Sequence, residues 1–284
     1  MNRVLTTFFI VLLVCLAMAA AGFGQKLKPE EIVAKHLESI GPAEARSAAK
    51  SRMMVGDARV VFLSQKNQPT VGRVVMASAG DKNFFGLTLN AMDYPGEKFS
   101  FDGSKARVAL PENNTPRSYL NVFVLGMNTV LRDSLLGGTL NSSWVFMDAA
   151  TKKPKVGGGG LKKVDGKEFY TMSYSPKGGA DYDITLFFDK ETFRHVRTEY
   201  KRASSAAIGT APEQSSGFTE TRIKIVETFD DFKQQGGLML PNTYKFLYSE
   251  TGQRGTREVE WAYSFNEFAF NQNLDEKTFD IDAR

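Results

Sequence analysis

Few residues in this chain combine the types and spacings that catalysis or metal binding requires. The chain contains two histidines, His36 and His195, and a single cysteine, Cys15. Neither histidine belongs to an HExxH or comparable metal-binding pattern, and the sequence has no GxSxG nucleophile motif. An isolated histidine near an apolar face is more often packed or solvated than catalytic. We therefore expect no enzyme, no metal site and no cofactor.

Two other patterns could suggest chemistry, and each has a simpler explanation. Gly157 to Gly160 lack the G-x-x-x-x-G-K-[ST] spacing of a phosphate loop and do not open a helix, so Lys152 to Gly160 are interpreted as a flexible loop. Asp181 and Asp183 share one face of a predicted strand, where a polar outer surface explains them better than acid–base catalysis. Neither pattern predicts a reactive site.

Residues 1–24 have the pattern of a secretory signal peptide. Arg3 supplies the positively charged n-region, Val4 to Leu16 form the apolar h-region, and small residues follow. A transmembrane anchor is the alternative, because the apolar run approaches the length of a span, but the small residues favour removal. The residue before Cys15 is not small, which argues against a lipoprotein. Secretion is the resulting prediction.

The remainder, residues 25–284, is expected to fold as a single domain. Secretion places it in an oxidising compartment. Because it has no cysteine, it forms no disulfides there and depends on its core. The net charge of the whole chain is +4, and the basic residues are scattered among acidic ones. This distribution does not predict a nucleic-acid partner, and it favours at most a weak, transient attraction to membrane surfaces.

One apolar helix is predicted from Thr115 to Gly138, within a chain that otherwise has the pattern of β-strands. Thr115 suits an N-cap, Pro116 suits the first helical position, and Gly137 and Gly138 suit the end. Apolar residues recur at helical spacing within it: Leu120, Phe123, Val124, Met127, Leu131 and Leu135. Such a helix either fills a core or lines an apolar cavity in a curved sheet.

The other predicted elements are short helices and many strands. A helix is expected at Pro29 to Ile40, a second helical piece at Ala43 to Lys50, and one helical turn near the end of the chain. About eleven strands are joined mainly by hairpin turns, and Ala203 to Gly217 are interpreted as a long hairpin loop. Hairpin connections predict an α+β fold in which a large curved antiparallel β-sheet wraps around one to three α-helices.

Several short phrases in the second half of the chain resemble a known family. These are DYDITLFFDKETFRHVRTEY (181–200), ETFDDF (227–232) and GLMLP (237–241), followed by Asn273, Leu274, Asp275 and Phe279. Similar phrases in the same order are typical of LolA/LolB-like proteins, the outer-membrane lipoprotein-sorting carriers of Gram-negative bacteria, and of their secreted relatives. The resemblance implies a half-open β-barrel with helices across its mouth. It also implies a periplasmic protein whose concave cavity holds acyl chains.

The function predicted from these observations is that of a periplasmic carrier or chaperone for lipid or lipoprotein acyl chains. Residues expected to line the cavity are Phe85, Leu87, Phe123, Met127, Leu131, Leu186, Phe188 and Trp261. The alternative is a protein-interaction or envelope-sensor module with the same fold and a filled core, for which envelope proteins would be the partners. An enzyme ranks third, because no catalytic set of residues is apparent.

Overall fold

The computed structural model describes residues 26–65, 68–109, 117–204 and 220–282. The predicted signal peptide, the predicted helix start at Thr115 and Pro116, and most of the predicted loop at 203–217 lie outside the described residues. Within the part of the chain that is described, no helix is both long and apolar enough to cross a membrane.

The described residues form twelve strands in one antiparallel sheet. These are β1 (Ser51–Phe62), β2 (Thr70–Ala79), β3 (Lys82–Leu89), β4 (Gly96–Phe101), β5 (Ala106–Val108), β6 (Lys155–Val164), β7 (Lys167–Ser175), β8 (Asp183–Asp189), β9 (His195–Ser204), β10 (Thr221–Gln235), β11 (Leu238–Gly252) and β12 (Gly255–Phe270). They pair in the order β5-β4-β3-β2-β1-β12-β11-β10-β9-β8-β7-β6. Two hairpin meanders therefore meet where β1 pairs with β12, and the sheet stays open between β5 and β6. The predicted curved antiparallel sheet is confirmed.

The alternating pattern of β12 shows how the sheet acquires an apolar side. Val259, Trp261 and Tyr263 are buried, whereas Glu258 and Glu260 between them are partly exposed. Successive side chains of a strand point to opposite faces, so the apolar residues lie on the concave face and the glutamates on the convex face.

Five α-helices and two 3₁₀ turns accompany the sheet in the described ranges. The helices are α1 (Pro29–Ile40), α2 (Ala43–Ala48), α3 (Tyr119–Gly126), α4 (Thr129–Arg132) and α5 (Ala149–Lys152), and the 3₁₀ turns are Gly138–Leu140 and Glu276–Phe279. The helix α1 has the predicted bounds. Its buried face contains Ile32, Val33, His36 and Ile40, and it packs on β6 and β11.

The predicted continuous helix from Thr115 to Gly138 is wrong. The chain forms α3 after the N-cap Ser118, whose hydroxyl accepts a hydrogen bond from the backbone N–H of Asn121. The helix ends at Gly126, a residue that costs about 1 kcal/mol relative to alanine inside a helix. The four-residue α4 follows, and Ser134 then adopts a left-handed conformation (φ 51°). The apolar periodicity still selects the buried residues, because all six residues of the predicted stripe are buried.

The predicted loop at Lys152 to Gly160 is also wrong. Gly157 to Gly160 lie within β6, which has a bulge between Gly158 and Gly160. Gly159 has φ +94°, and a Cβ atom there would lie 2.0 Å from the carbonyl oxygen of Leu27. Glycine is needed because the chain just before α1 passes against the strand at this point. This close approach is a tertiary contact, which propensity rules cannot anticipate.

Candidate functional site

The concave face of the sheet is covered by residues 117–154, which run from β5 to β6 and are called the plug. The plug contains α3, α4, the first 3₁₀ turn and α5, joined by irregular backbone. Two aromatic side chains of the plug are fully buried, Trp144 and Phe146. On the outer side, Val122 and Leu125 of α3 are about half exposed, at 53% and 45%. The plug therefore has one face in the core and one in solvent.

The eight residues predicted to line a cavity lie in a single apolar cluster between the sheet and the plug. All are at most 4% exposed: Phe85, Leu87, Phe123, Met127, Leu131, Leu186, Phe188 and Trp261. Phe123 of α3 packs against Tyr200 and Phe246 with ring centroids 5.1 and 5.7 Å apart, and Trp261 contacts the same Phe246 ring at 5.6 Å. Phe123 of the plug and Trp261 of the sheet thus share a contact with Phe246 across the plug–sheet boundary.

A buried carboxylate attaches the middle of the plug to the sheet. Glu227 of β10 is fully buried and accepts hydrogen bonds from the hydroxyls of Tyr200 and Tyr244, both at 2.6 Å. It also accepts a 2.9 Å bond from the backbone N–H of Gly137 in the plug. Burial raises the pKa of Glu227 to about 7, although the three donors oppose this shift. Near neutral pH this anchor is therefore partly protonated.

A second buried carboxylate holds the start of the plug. Glu97 of β4 accepts hydrogen bonds from Ser118, the N-cap of α3, and from the side-chain amide of Asn121 at 3.2 Å. It also accepts a 2.7 Å bond from the Tyr94 hydroxyl, which in turn accepts one from the indole N–H of Trp261. Burial raises the pKa of Glu97 as well. The entry of α3 is thereby tied to one of the predicted lining residues.

Further polar anchors connect the rest of the plug to β1, β2 and β3. The amide of Asn83 donates to the carbonyl of Leu131 at 2.6 Å and to the Ser134 hydroxyl at 3.0 Å. The buried Arg52 guanidinium donates to the carbonyl of Thr139 at 2.8 Å. No described carboxylate lies within ion-pair distance of Arg52, and burial lowers its pKa to about 10. The plug is thus fixed by individual hydrogen bonds to its short helical turns and to the Ser134 hydroxyl.

The two histidines meet at the far end of the plug, next to α1. His36 accepts a hydrogen bond from the indole N–H of Trp144 at 3.2 Å, and its other ring nitrogen lies 3.1 Å from the carbonyl of Phe193. This pairing fits a neutral ring with the proton on Nδ1. The ring of His195 stacks on Trp144 with centroids 5.1 Å apart and approaches Thr198 at 3.0 Å.

Burial keeps both histidine rings neutral. It lowers the pKa of His36 to about 4 and that of His195 well below its usual range. Both side chains are packed, as expected for isolated histidines near an apolar face. The described residues contain no group of three or more His, Cys, Asp or Glu side chains that could hold a metal ion.

Sequence reasoning missed most of the anchors, because the buried polar residues have no common spacing. Glu227 is the first residue of the phrase ETFDDF, and Arg52, Asn83 and Glu97 belong to no motif. A usable signal did exist for Glu227, which lies between the apolar Ile225 and Phe229 on one strand face, and for Glu97, which precedes Phe99 on its face. A charged residue on an apolar face indicates a buried partner.

An open antiparallel sheet wrapped around an apolar plug defines the half-barrel class of fold. No family model and no curated protein matches the sequence. Among solved structures, a LolA superfamily protein from Nitrosomonas europaea is similar, with 14% identity, a TM-score of 0.51, and coverage of 89% of this chain and 97% of that one. This likeness confirms, for the fold, the resemblance seen in the sequence.

Two other solved structures align at lower similarity. One is a domain from Vibrio parahaemolyticus that carries the name of an outer membrane lipoprotein-sorting protein, with 12% identity, a TM-score of 0.45, and coverage of 88% of this chain and 98% of that one. The other is a DUF1329 family protein from Desulfovibrio piger, with 9% identity, a TM-score of 0.41, and coverage of 89% and 98%.

Proposed function

We propose that this protein is a periplasmic carrier or chaperone that binds the acyl chains of a lipid or lipoprotein non-covalently. The observation that carries the proposal is the construction of the plug. An apolar concave face is covered by short helices and irregular backbone, held by separate buried hydrogen bonds to Glu97, Glu227, Arg52 and Asn83. In the proposed mechanism this cover moves as a unit and exposes the eight predicted lining residues.

An acyl chain that enters the core supplies part of the free energy needed to displace the plug. Burying each CH₂ group contributes about 0.8 kcal/mol, so ten carbons contribute about 8 kcal/mol, equivalent to a Kd on the order of 1 μM before any cost of opening. That cost includes about 1 kcal/mol for each anchoring hydrogen bond and the exposure of buried plug side chains such as Trp144 and Phe146. Long and paired chains offset more of this cost than short ones, because they cover the apolar surface that the plug leaves.

A disulfide lock tests this mechanism. The hydroxyls of Ser78 on β2 and Ser142 on the plug lie 3.0 Å apart, so Ser78→Cys/Ser142→Cys places two thiols within bonding reach. Ser134 and Ser143, both within the plug, lie 2.7 Å apart and provide a control disulfide that removes the Asn83–Ser134 hydrogen bond but does not tie the plug to the sheet. Residues 25–284 contain no native cysteine to compete.

We expect the oxidised Ser78–Ser142 lock to lose binding of a fluorescent fatty-acid probe and to regain it on reduction. The control disulfide should bind in both redox states. Equal binding by both oxidised proteins would refute movement of the plug. Failure of the reduced protein to bind any acyl probe, together with the absence of co-purifying lipid by native mass spectrometry, would refute the carrier function.

A second candidate function is a protein-interaction or envelope-sensor module with a filled core. It is favoured by the dense packing of the eight predicted residues and by the exposed Val122 and Leu125 on α3. This alternative expects no acyl binding by any variant. It also expects Val122→Asp/Leu125→Asp to abolish capture of an envelope partner while leaving the thermal stability unchanged.

A further inference from the structure

The two edges of the sheet face each other across a pocket of about 650 Å³, called the seam pocket. One wall comes from β4 and the β4–β5 turn, including Phe101. The opposite wall comes from the start of β6 and the end of β7, including Lys155 and Tyr174. Since β5 and β6 are the edge strands of the open sheet, this pocket lies in the gap of the half-barrel.

The floor of the seam pocket belongs to the apolar core. Phe101, Val145 and Tyr174 line the pocket and are each at most 6% exposed. Tyr174 continues inward, where its ring lies 6.4 Å from that of Phe146 in the plug. An apolar chain that passes between these side chains would reach the concave face directly.

The rim of the seam pocket carries an excess of positive charge. Its lining contains four lysines and Arg132, against two carboxylates. Lys152 pairs with Asp81 at 3.0 Å, and Arg132 pairs with Asp133 at 2.9 Å. The remaining three lysines, Lys153, Lys155 and Lys177, are exposed and form no ion pair with a described residue. Three uncompensated cations therefore surround an opening with an apolar floor.

Two hydrogen bonds cross the pocket and close the way to the core. The Tyr174 hydroxyl donates to the Asp133 carboxylate at 2.8 Å. Arg132 donates to the backbone carbonyl of Lys177 at 2.9 Å. Both bonds join the plug to β7 or to the turn after it. A ligand anion near Lys177 would compete with the Lys177 carbonyl for the Arg132 guanidinium, so binding of the anion would weaken one of the two bonds that close the seam.

From this arrangement we infer that the seam pocket binds the phosphate-bearing headgroup of an amphiphile whose acyl chain enters the core. This inference rests on the proposed carrier function and specifies its ligand class. Lysine side chains bind phosphate as mobile point charges, and three of them compensate a phosphate monoester. The pocket volume accommodates a small headgroup and the first carbons of a chain.

The test compares two ligands that differ only in the phosphate: lauroyl lysophosphatidic acid and monolauroylglycerol, both below their critical micelle concentrations. We expect the wild-type protein to bind the phosphate-bearing lipid about tenfold more tightly in low salt, and the preference to shrink as salt is added. In Lys153→Gln/Lys155→Gln/Lys177→Gln the preference should fall below about threefold, with binding of monolauroylglycerol unchanged.

The control variant is Lys163→Gln/Lys167→Gln/Lys245→Gln, which removes the same charge from exposed lysines outside the seam pocket. It should keep the wild-type preference. Equal binding of both lipids by the wild-type protein would overturn the headgroup site while leaving the carrier function intact. Binding of neither lipid would instead refute the carrier function. Inorganic phosphate that binds as tightly as the lipid would identify a free anion as the ligand and overturn the inference.

Discussion

Replacement of Glu227 by glutamine provides a direct test of the buried anchor in the middle of the plug. In the folded protein the pKa of Glu227 is raised to about 7, from an ordinary value of 4.5. A carboxyl group with a raised pKa favours folding in its protonated form. Its full contribution is therefore present below pH 4.5 and is lost as the pH rises through 7.

The magnitude follows from the size of the shift. Each pKa unit corresponds to 1.36 kcal/mol. Ionisation of Glu227 therefore lowers the free energy of unfolding by about 3 kcal/mol between pH 4.5 and pH 8. Because Glu227 is fully buried, this cost is not reduced by solvent screening. Glu227→Gln retains a hydrogen-bonding side chain of the same shape but cannot ionise.

The assay measures the free energy of unfolding by urea titration at pH 4.5, 6 and 8 for both proteins. We expect the wild-type value minus the Glu227→Gln value to fall by about 3 kcal/mol across this range. Other titrating groups, including the histidines, cancel in the difference. The exposed Glu44→Gln is the control and should change the stability by less than about 0.5 kcal/mol at each pH. A pH-independent difference for Glu227→Gln would refute the reasoning.

Three further predictions concern the stability of the fold. The pKa of His36 is lowered to about 4, so the stability that depends on its neutral ring is present above pH 6.5 and is lost as the pH falls towards 4. His36→Gln should therefore lose less stability in acid than the wild-type protein, as measured by circular dichroism. Gly159→Ala should lower the free energy of unfolding by about 2 kcal/mol, because residue 159 has a positive φ and the carbonyl oxygen of Leu27 lies close to it. Gly160→Ala is the control: it has open space around it and should leave the free energy of unfolding in urea almost unchanged. Met127→Trp should lower the free energy of unfolding by about 1–3 kcal/mol, because it overpacks a buried site, whereas Val122→Trp at an exposed site should not. Equal thermal stabilities of these two variants would indicate an empty cavity beneath the plug.

The periodic parts of the fold were predictable because local rules govern them. The helix α1 begins at Pro29 and ends before Gly41, as its capping signals indicate. Hairpins such as β11–β12 follow turn residues and alternating apolar positions. In these segments the local preference and the final structure agree, so periodicity alone identifies both the element and its buried face.

The candidate site was predictable only in its apolar part. The eight predicted residues are all buried, because the apolar pattern of each segment selects the side that faces the core. The buried polar anchors were not predictable in the same way. Arg52 and Thr139 are 87 residues apart in sequence, and Glu227 and Gly137 are 90 residues apart. No local rule relates residues at such separations.

The sequence by itself therefore determined an antiparallel sheet and the apolar surface that must be covered, and the secretory signal peptide remains a prediction from sequence. Only the tertiary structure decided how that surface is covered. It divided the predicted central helix into α3 and α4, and it placed the glycine run in a strand beneath the chain that precedes α1. It also buried Glu227 against the backbone N–H of Gly137 and Glu97 against the side chains of Ser118 and Asn121. The physical reason is that burial of apolar area depends on pattern alone, whereas each buried polar group requires a specific partner that the fold must bring to it.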